Sequence, residues 1–98
     1  MPITIDSILV RDSEPVATTL DENVVVLSVR DGSYFDFNRV GSDIWNMLAK
    51  PRPLREILDR LAEIYEVDLG TMAPQVVAFL QKLVDNRLVR VLEPQGDR

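Results

Sequence analysis

Neither cysteine nor histidine occurs anywhere in the 98 residues. The first absence removes disulfides, thiolate metal sites and thiol nucleophiles. The second removes the commonest general base near neutral pH and the commonest transition-metal ligand. Glycine is scarce, and its four residues are scattered rather than grouped into a phosphate-cradling loop. Hydroxyls at Ser7, Ser13, Ser28, Ser33 and Ser42 have no histidine to activate them, and no G-x-S-x-G elbow is present. Carboxylates do pair at helical spacing, as at Asp59 and Glu63, but they lie opposite the Leu54–Leu61 apolar stripe and read as a solvated face. Asp31-Gly32 lacks the further oxygen ligands of a calcium loop. No catalytic residue, cofactor site or metal site is legible, which points to a chain that is not an enzyme.

An excess of positive charge is missing too. Eleven Lys and Arg stand against sixteen Asp and Glu, a net charge of −5. Nucleic-acid binding draws its affinity from cations that displace condensed counterions, so this balance has the wrong sign for it. The longest unbroken apolar runs, Val24–Leu27 and Val76–Leu80, are far too short to span a membrane. The start, Met1-Pro2-Ile3-Thr4-Ile5-Asp6, lacks the charged and apolar regions of a signal peptide. The expected setting is therefore cytoplasmic, with no nucleic acid and no membrane as partner. A hydrophobic fraction of 46% is enough for a packed core. The length suits a single domain over residues 1–98 with its core at about 15–92.

The first part of the chain reads as strands. Val16–Leu20 forms one, followed by a turn at Asp21-Glu22-Asn23. A β-branched run from Val24 to Val29 leads to Asp31-Gly32, a two-residue hairpin signal. Ser33-Tyr34-Phe35-Asp36-Phe37 then alternates, placing Phe35 and Phe37 on one face and Tyr34 and Asp36 on the other. Residues 3–10 read as either a short strand or an arm. From Asn38, an N-cap, the period turns helical through Gly41, Ile44, Trp45 and Leu48. Pro51-Arg52-Pro53 ends that helix and starts the next, whose Leu54, Ile57, Leu58, Leu61, Ala62 and Tyr65 make the clearest amphipathic stripe in the chain. A third helix is expected from Thr71 as N-cap to about Asn86, because a start at Asp68 would put Pro74 inside it. Leu88–Leu92 is a short returning strand, and Glu93–Arg98 a polar tail. The fold class is α+β: an N-terminal three-stranded antiparallel sheet, three helices and a short C-terminal strand, in a winged helix-turn-helix arrangement.

Two features exceed what a plain core requires. In a simple meander Ser33–Phe37 lies at a sheet edge, and Asp36 is its only blunting charge. Alternatively that edge is covered by the N-terminal arm or by Leu88–Leu92. The second feature is the width of the third helix's apolar face, roughly 160° where a one-sided helix needs ~100°. Val76 and Leu80 sit at its centre and belong to the core; Phe79 and Leu83 approach the margin beside Gln75, Lys82 and Asn86. An open edge and an over-wide helix together could form one groove for an extended peptide.

The run Gly32-Ser33-Tyr34-Phe35-Asp36-Phe37-Asn38, followed by Ile44-Trp45, resembles the PqqD-like family. The resemblance continues through Leu54-Arg55-Glu56-Ile57, Leu61, Tyr65-Glu66-Val67-Asp68, Val76, Phe79-Leu80, Leu83 and Leu88-Val89. Named for pyrroloquinoline quinone biosynthesis protein D, this family consists of leader-peptide recognition elements for ribosomally made, post-translationally modified peptides. The resemblance implies a fold that binds no DNA and takes the leader as an added strand packed on the third helix. By position it points to Ser33, Tyr34, Phe35, Asp36 and Phe37 for main-chain pairing, and to Gln75, Phe79, Lys82 and Leu83 for the helix wall. The free-standing chain and its Tyr-Phe-x-Phe-Asn pattern look most like the lasso-peptide version. That implies two partners besides the leader region of a precursor peptide: a cysteine leader peptidase and an ATP-dependent ring-closing (macrolactam) synthetase. Pro53 departs from the family, which often has a Ser or Thr helix cap at that place.

The expected function is thus a non-catalytic adaptor that captures a leader by strand addition and delivers it to a peptidase. Three alternatives stand beside it: a winged-helix DNA-binding regulator, a peptide chaperone in pyrroloquinoline quinone biosynthesis, and a subunit-stabilising chaperone with no peptide ligand. Against the first, the span Thr71–Asn86 holds one lysine and no arginine, with Asp85 as well.

Overall fold

The computed structural model describes residues 3–92, so the polar tail Glu93–Arg98 lies outside the described residues. Four strands come first: β1 (Ile8–Arg11), β2 (Val16–Leu20), β3 (Asn23–Ser28) and β4 (Ser33–Asp36). Then follow α1 (Arg39–Met47), the two-residue β5 (Arg52–Pro53), α2 (Leu54–Tyr65), α3 (Leu69–Asp85) and β6 (Val89–Leu92). The strands form two separate antiparallel sheets, in the orders β2-β3-β4 and β5-β1-β6. The N-terminal segment is therefore a strand, β1, at the centre of the second sheet. That sheet and the three helices make the winged helix-turn-helix body, with β2-β3-β4 set beside it.

Alternation dictates which sheet residues are buried. Val24, Val26 and Ser28 face inward from β3, and so do Phe35 and Phe37 opposite them, while Leu27 and Tyr34 face out. The inner face meets the α1 stripe of Ile44, Trp45 and Leu48. Leu54, Ile57, Leu58 and Leu61 of α2 and Val76, Leu80 and Leu83 of α3 complete the core, closed at its other side by Leu9, Leu88 and Val89. Each fully buried aliphatic side chain contributes about 1.5–3 kcal/mol over its exposed state.

Three local expectations are corrected. Asp31-Gly32 is not a two-residue turn; it ends the four-residue loop Val29–Gly32, closed by the Gly32 N–H donating to the Ser28 carbonyl at 2.8 Å. The tight two-residue turn is Asp21-Glu22, both with positive φ (52° and 73°), which matches the strand twist as a type I′ turn does. The third correction is the start of α3. Its N-cap is Asp68, whose carboxylate accepts the Thr71 N–H at 3.2 Å and also the Thr71 hydroxyl, so Thr71 lies inside the first turn. Pro74 thus sits within the helix after all. The carbonyl it leaves without an N–H is that of Gly70, in the exposed first turn.

Pro53 is itself the N-cap of α2 and makes no side-chain cap bond. Instead, the Leu54 N–H donates to the Ser7 carbonyl at 2.9 Å and the Arg55 N–H to that of Ile5 at 3.1 Å. The segment entering β1 thereby does what a Ser or Thr cap would do, satisfying two orphan donors of the helix.

Candidate functional site

Where β4 passes into α1, the backbone meets a side-chain anchor. Asn38 caps α1, its Oδ1 accepting the Gly41 N–H at 2.8 Å. One turn in, Ser42 is 2% exposed. Its Oγ accepts the Val24 N–H at 2.8 Å and donates to the Phe37 carbonyl at 3.5 Å. The Phe37 N–H in turn donates to the Val24 carbonyl at 2.9 Å. The hydroxyl is thus inserted where the sheet would otherwise make its second bond between Val24 and Phe37, fixing the end of β4 to α1.

This bond also settles which way the β4 backbone faces. In an antiparallel pair, alternate residues direct both polar groups at the partner strand. Val24–Phe37 is such a pair, so Val26–Phe35 and Ser28–Ser33 are as well. Tyr34 and Asp36 therefore aim their N–H and C=O groups away from β3. In this sheet β4 is an outer strand; β1 and β6 pair with each other in the second sheet. The alternative that the arm or the C-terminal strand covers this edge is excluded.

A groove of about 780 Å³ opens alongside, between the β4–α1 junction and α3. Its floor is apolar: Phe37, Ile44 and Val76. The Phe79 ring stands edge-on to Phe37 (centroids 5.3 Å apart, 78° between planes), and Phe37 leans in turn on Trp45 at 5.8 Å. Met72, Gln75 and Lys82 continue the α3 wall, and Asp36, Asn38 and Asp68 supply polar edges. At the α2 end stand Tyr65 and Val67. The Tyr65 hydroxyl donates to Asp43 Oδ2. Loss of solvent and then this carboxylate raise the Tyr65 pKa above its ordinary value, so the phenol is a neutral donor near pH 7. Among the described residues no cluster of three carboxylates could hold a metal ion.

Of the residues singled out in the sequence, Asp36, Phe37, Gln75, Phe79 and Lys82 line this groove together. Ser33, Tyr34 and Phe35 do not line it but form the adjoining strand, Tyr34 outward at 68% exposure and Phe35 inward against the core. Leu83 is elsewhere: at 1% exposure it is a core residue and not a groove margin. Val76, expected only in the core, contributes to the groove floor while staying 3% exposed. Phe79 stands at the margin of the apolar stripe, beside Gln75 and Lys82, whereas Leu83 projects about 40° further in, between Phe79 and Val76. Met72, Tyr65 and Val67 were not marked as site residues by sequence reasoning. Their apolar positions look like ordinary stripe members until a second element fails to cover them.

The family model described as "Coenzyme PQQ synthesis protein D (PqqD)" matches residues 23–89. That span contains β3, β4, all three helices and every residue lining the groove. Among solved structures, "TbiB1 in Complex with the TbiA(beta) Leader Peptide" is similar, with 29% sequence identity and a TM-score of 0.77. The match covers 87% of this chain and 99% of that one. No curated protein matches the chain.

Proposed function

The chain belongs to the PqqD family, and on that premise we propose that it is a recognition element for the leader of a ribosomally made precursor peptide. The observation that carries this reading is the bare edge of β4 lying directly beside an apolar groove. An extended peptide gains main-chain bonds from Tyr34 and Asp36, while its alternate side chains enter between Phe37 and α3. The similar TbiB1 chain, solved with a leader peptide, supports the same ligand class. Main-chain pairing through Ser33–Phe37 gives register, and Gln75, Phe79 and Lys82 shape what the groove accepts. The whole of residues 1–98 acts as one recognition domain.

The role is non-catalytic. The bound leader is delivered to a cysteine leader peptidase, beside an ATP-dependent ring-closing synthetase, in a lasso-peptide pathway; the likeness to TbiB1, solved with a leader peptide, supports the leader-binding part of this reading. Duplex DNA is a poor ligand, since Lys82 is the only cation on α3.

Strand addition is tested by proline. Tyr34→Pro and Asp36→Pro each remove an outward N–H, and each is compared with alanine at the same position by titrating a labelled cognate leader peptide. The bond lost from the peptide leaves a partner unpaired at about 1–3 kcal/mol, roughly a tenfold to hundredfold loss of affinity beyond alanine. Phe35→Pro, which removes an inward N–H, is expected to unfold the hairpin instead. Equal leader affinity for well-folded proline and alanine variants at both outward positions would sink the proposal.

A further inference from the structure

Asp36 is the only charged residue in β2, β3 and β4. It is exposed, and among the described residues its carboxylate enters none of the ion pairs. The register explains why the sheet supplies no partner. Residues directly opposite on neighbouring strands share a face, so the outer face sorts into rows. One row crosses Thr18, Val25 and Asp36; the next crosses Val16, Leu27 and Tyr34. The first backs the carboxylate with a valine, which offers a charge nothing. The second is apolar throughout and open to solvent, with Val16 57%, Leu27 40% and Tyr34 68% exposed. Both rows stop at β4, on the same two residues whose N–H and C=O groups point away from β3.

Given the leader reading proposed above, we infer that the leader is read on both of its faces, and that Asp36 selects a lysine or arginine at the leader residue directly opposite it. An added strand continues each row by one residue, whichever way it runs. Its residue opposite Asp36 projects onto the outer face, away from the groove. The two neighbours of that residue, opposite Phe35 and Phe37, project inward toward α3. Two places from the cation, the residue opposite Tyr34 extends the apolar row. The sequence pattern that fits is a cation between two apolar residues, with a further apolar residue next on the Tyr34 side. An edge carboxylate repels a strand that brings an acid opposite it and favours one that brings a cation. On a face with no other charge, nothing competes for that cation. Main-chain bonds accept almost any extended peptide; Asp36 turns them into a filter.

The probe is a phage-displayed library of random dodecapeptides, which reach about 40 Å when extended, selected on the full chain. Peptides enriched on the wild type are expected to carry Lys or Arg at one position between apolar residues. Asp36→Lys should switch that position to Asp or Glu and leave its apolar neighbours unchanged. Asp59→Lys, at an exposed site on α2, makes the same change in net charge and should leave the pattern as it is. This separates Asp36 from a general attraction of basic peptides to an acidic chain. In one enriched peptide, replacing the cation by Glu should lower affinity about three- to tenfold at low salt. The loss should shrink at 1 M salt, where the screening length is about 3 Å, and Asp36→Asn should nearly erase it. Enriched peptides with the same charge preference on the wild type and on Asp36→Lys overturn the inference and leave strand addition standing. A library that yields no binding peptide overturns the leader reading, and this inference with it.

Discussion

The Phe79 ring lies against the backbone of Gly41: a β-carbon placed on Gly41 would stand 3.0 Å from Phe79 Cζ. Glycine in a helix lowers stability by about 1 kcal/mol relative to alanine. Here it lets α3 bring its aromatic wall over the first turn of α1, and so sets the depth of the groove. Gly41→Ala should displace the ring, destabilise the fold and weaken leader binding. In a Phe79→Ala background the same change should cost at least about 1 kcal/mol less, a coupling that a double-mutant cycle by urea unfolding measures. Additive effects of the two substitutions would show that the ring and the glycine are independent.

Along α3 the centre and the margin of the apolar stripe have different work. Leu80 and Leu83, 0% and 1% exposed, should each lose about 2–5 kcal/mol of folding free energy on truncation to alanine. Phe79→Ala should weaken leader binding more than it lowers stability. Chemical denaturation and peptide titration on the same three variants separate the classes. A Phe79→Ala protein that binds as wild type but melts like Leu80→Ala would reverse the division.

Ser42→Ala removes the hydroxyl that holds the Val24 N–H. The buried amide is then without a partner, at about 1–3 kcal/mol, and the end of β4 loses its tie to α1. Thermal melts should record the loss, and amide exchange at Val24 and Phe37 should accelerate ahead of the rest of the β2-β3-β4 sheet. Unchanged exchange at those two amides would rule out the anchoring role.

Glu22 occupies the left-handed region at φ 73°, where a side chain costs about 1–2 kcal/mol. Its ion pair with Arg39, 3.6 Å long and largely exposed, contributes little against that. Glu22→Gly makes the turn Asp-Gly and should raise stability by about 0.5–1 kcal/mol, read as a higher denaturation midpoint at unchanged slope.

Much of this fold is legible in residue order because its signals are local. The alternation of Ser33–Phe37 and the spacing Leu54, Ile57, Leu58, Leu61 each name an element and its buried face. Asn38 announces a helix start with the side chain that caps it. What was misread depends on contacts between distant parts of the chain. Asp31-Gly32 carries the residues of a two-residue turn, yet the register set by Val24 and Phe37 leaves four residues in that loop, and the tight turn falls to Asp21-Glu22. Thr71 and Asp68 are both good caps; Asp68 wins because its carboxylate reaches the Thr71 amide and hydroxyl together. Leu83 and Phe79 both read as near the margin of the stripe, yet Leu83 projects about 40° further in, toward Val76, and only Phe79 meets the groove, against Gly41. Ser42 gave no signal at all, since a hydroxyl that completes a sheet from a neighbouring helix has no sequence pattern of its own.

The position of β1 sets the order in which this protein can be made. Ile8 pairs with Leu92, so the central strand of the second sheet is synthesised first and waits for a partner that emerges last among the described strands. The β2-β3-β4 sheet needs only its own short turns, and hairpins of this kind close in about 1–10 μs. At ~5–20 residues per second on a ribosome, several seconds separate the closing of that sheet from the arrival of β6. Throughout that interval the growing chain displays two unprotected strand edges while Leu9 has no cover from Leu88 and Val89. Nascent chains on neighbouring ribosomes meet under those conditions, so the yield of this protein should depend more steeply on expression rate than its final stability would suggest.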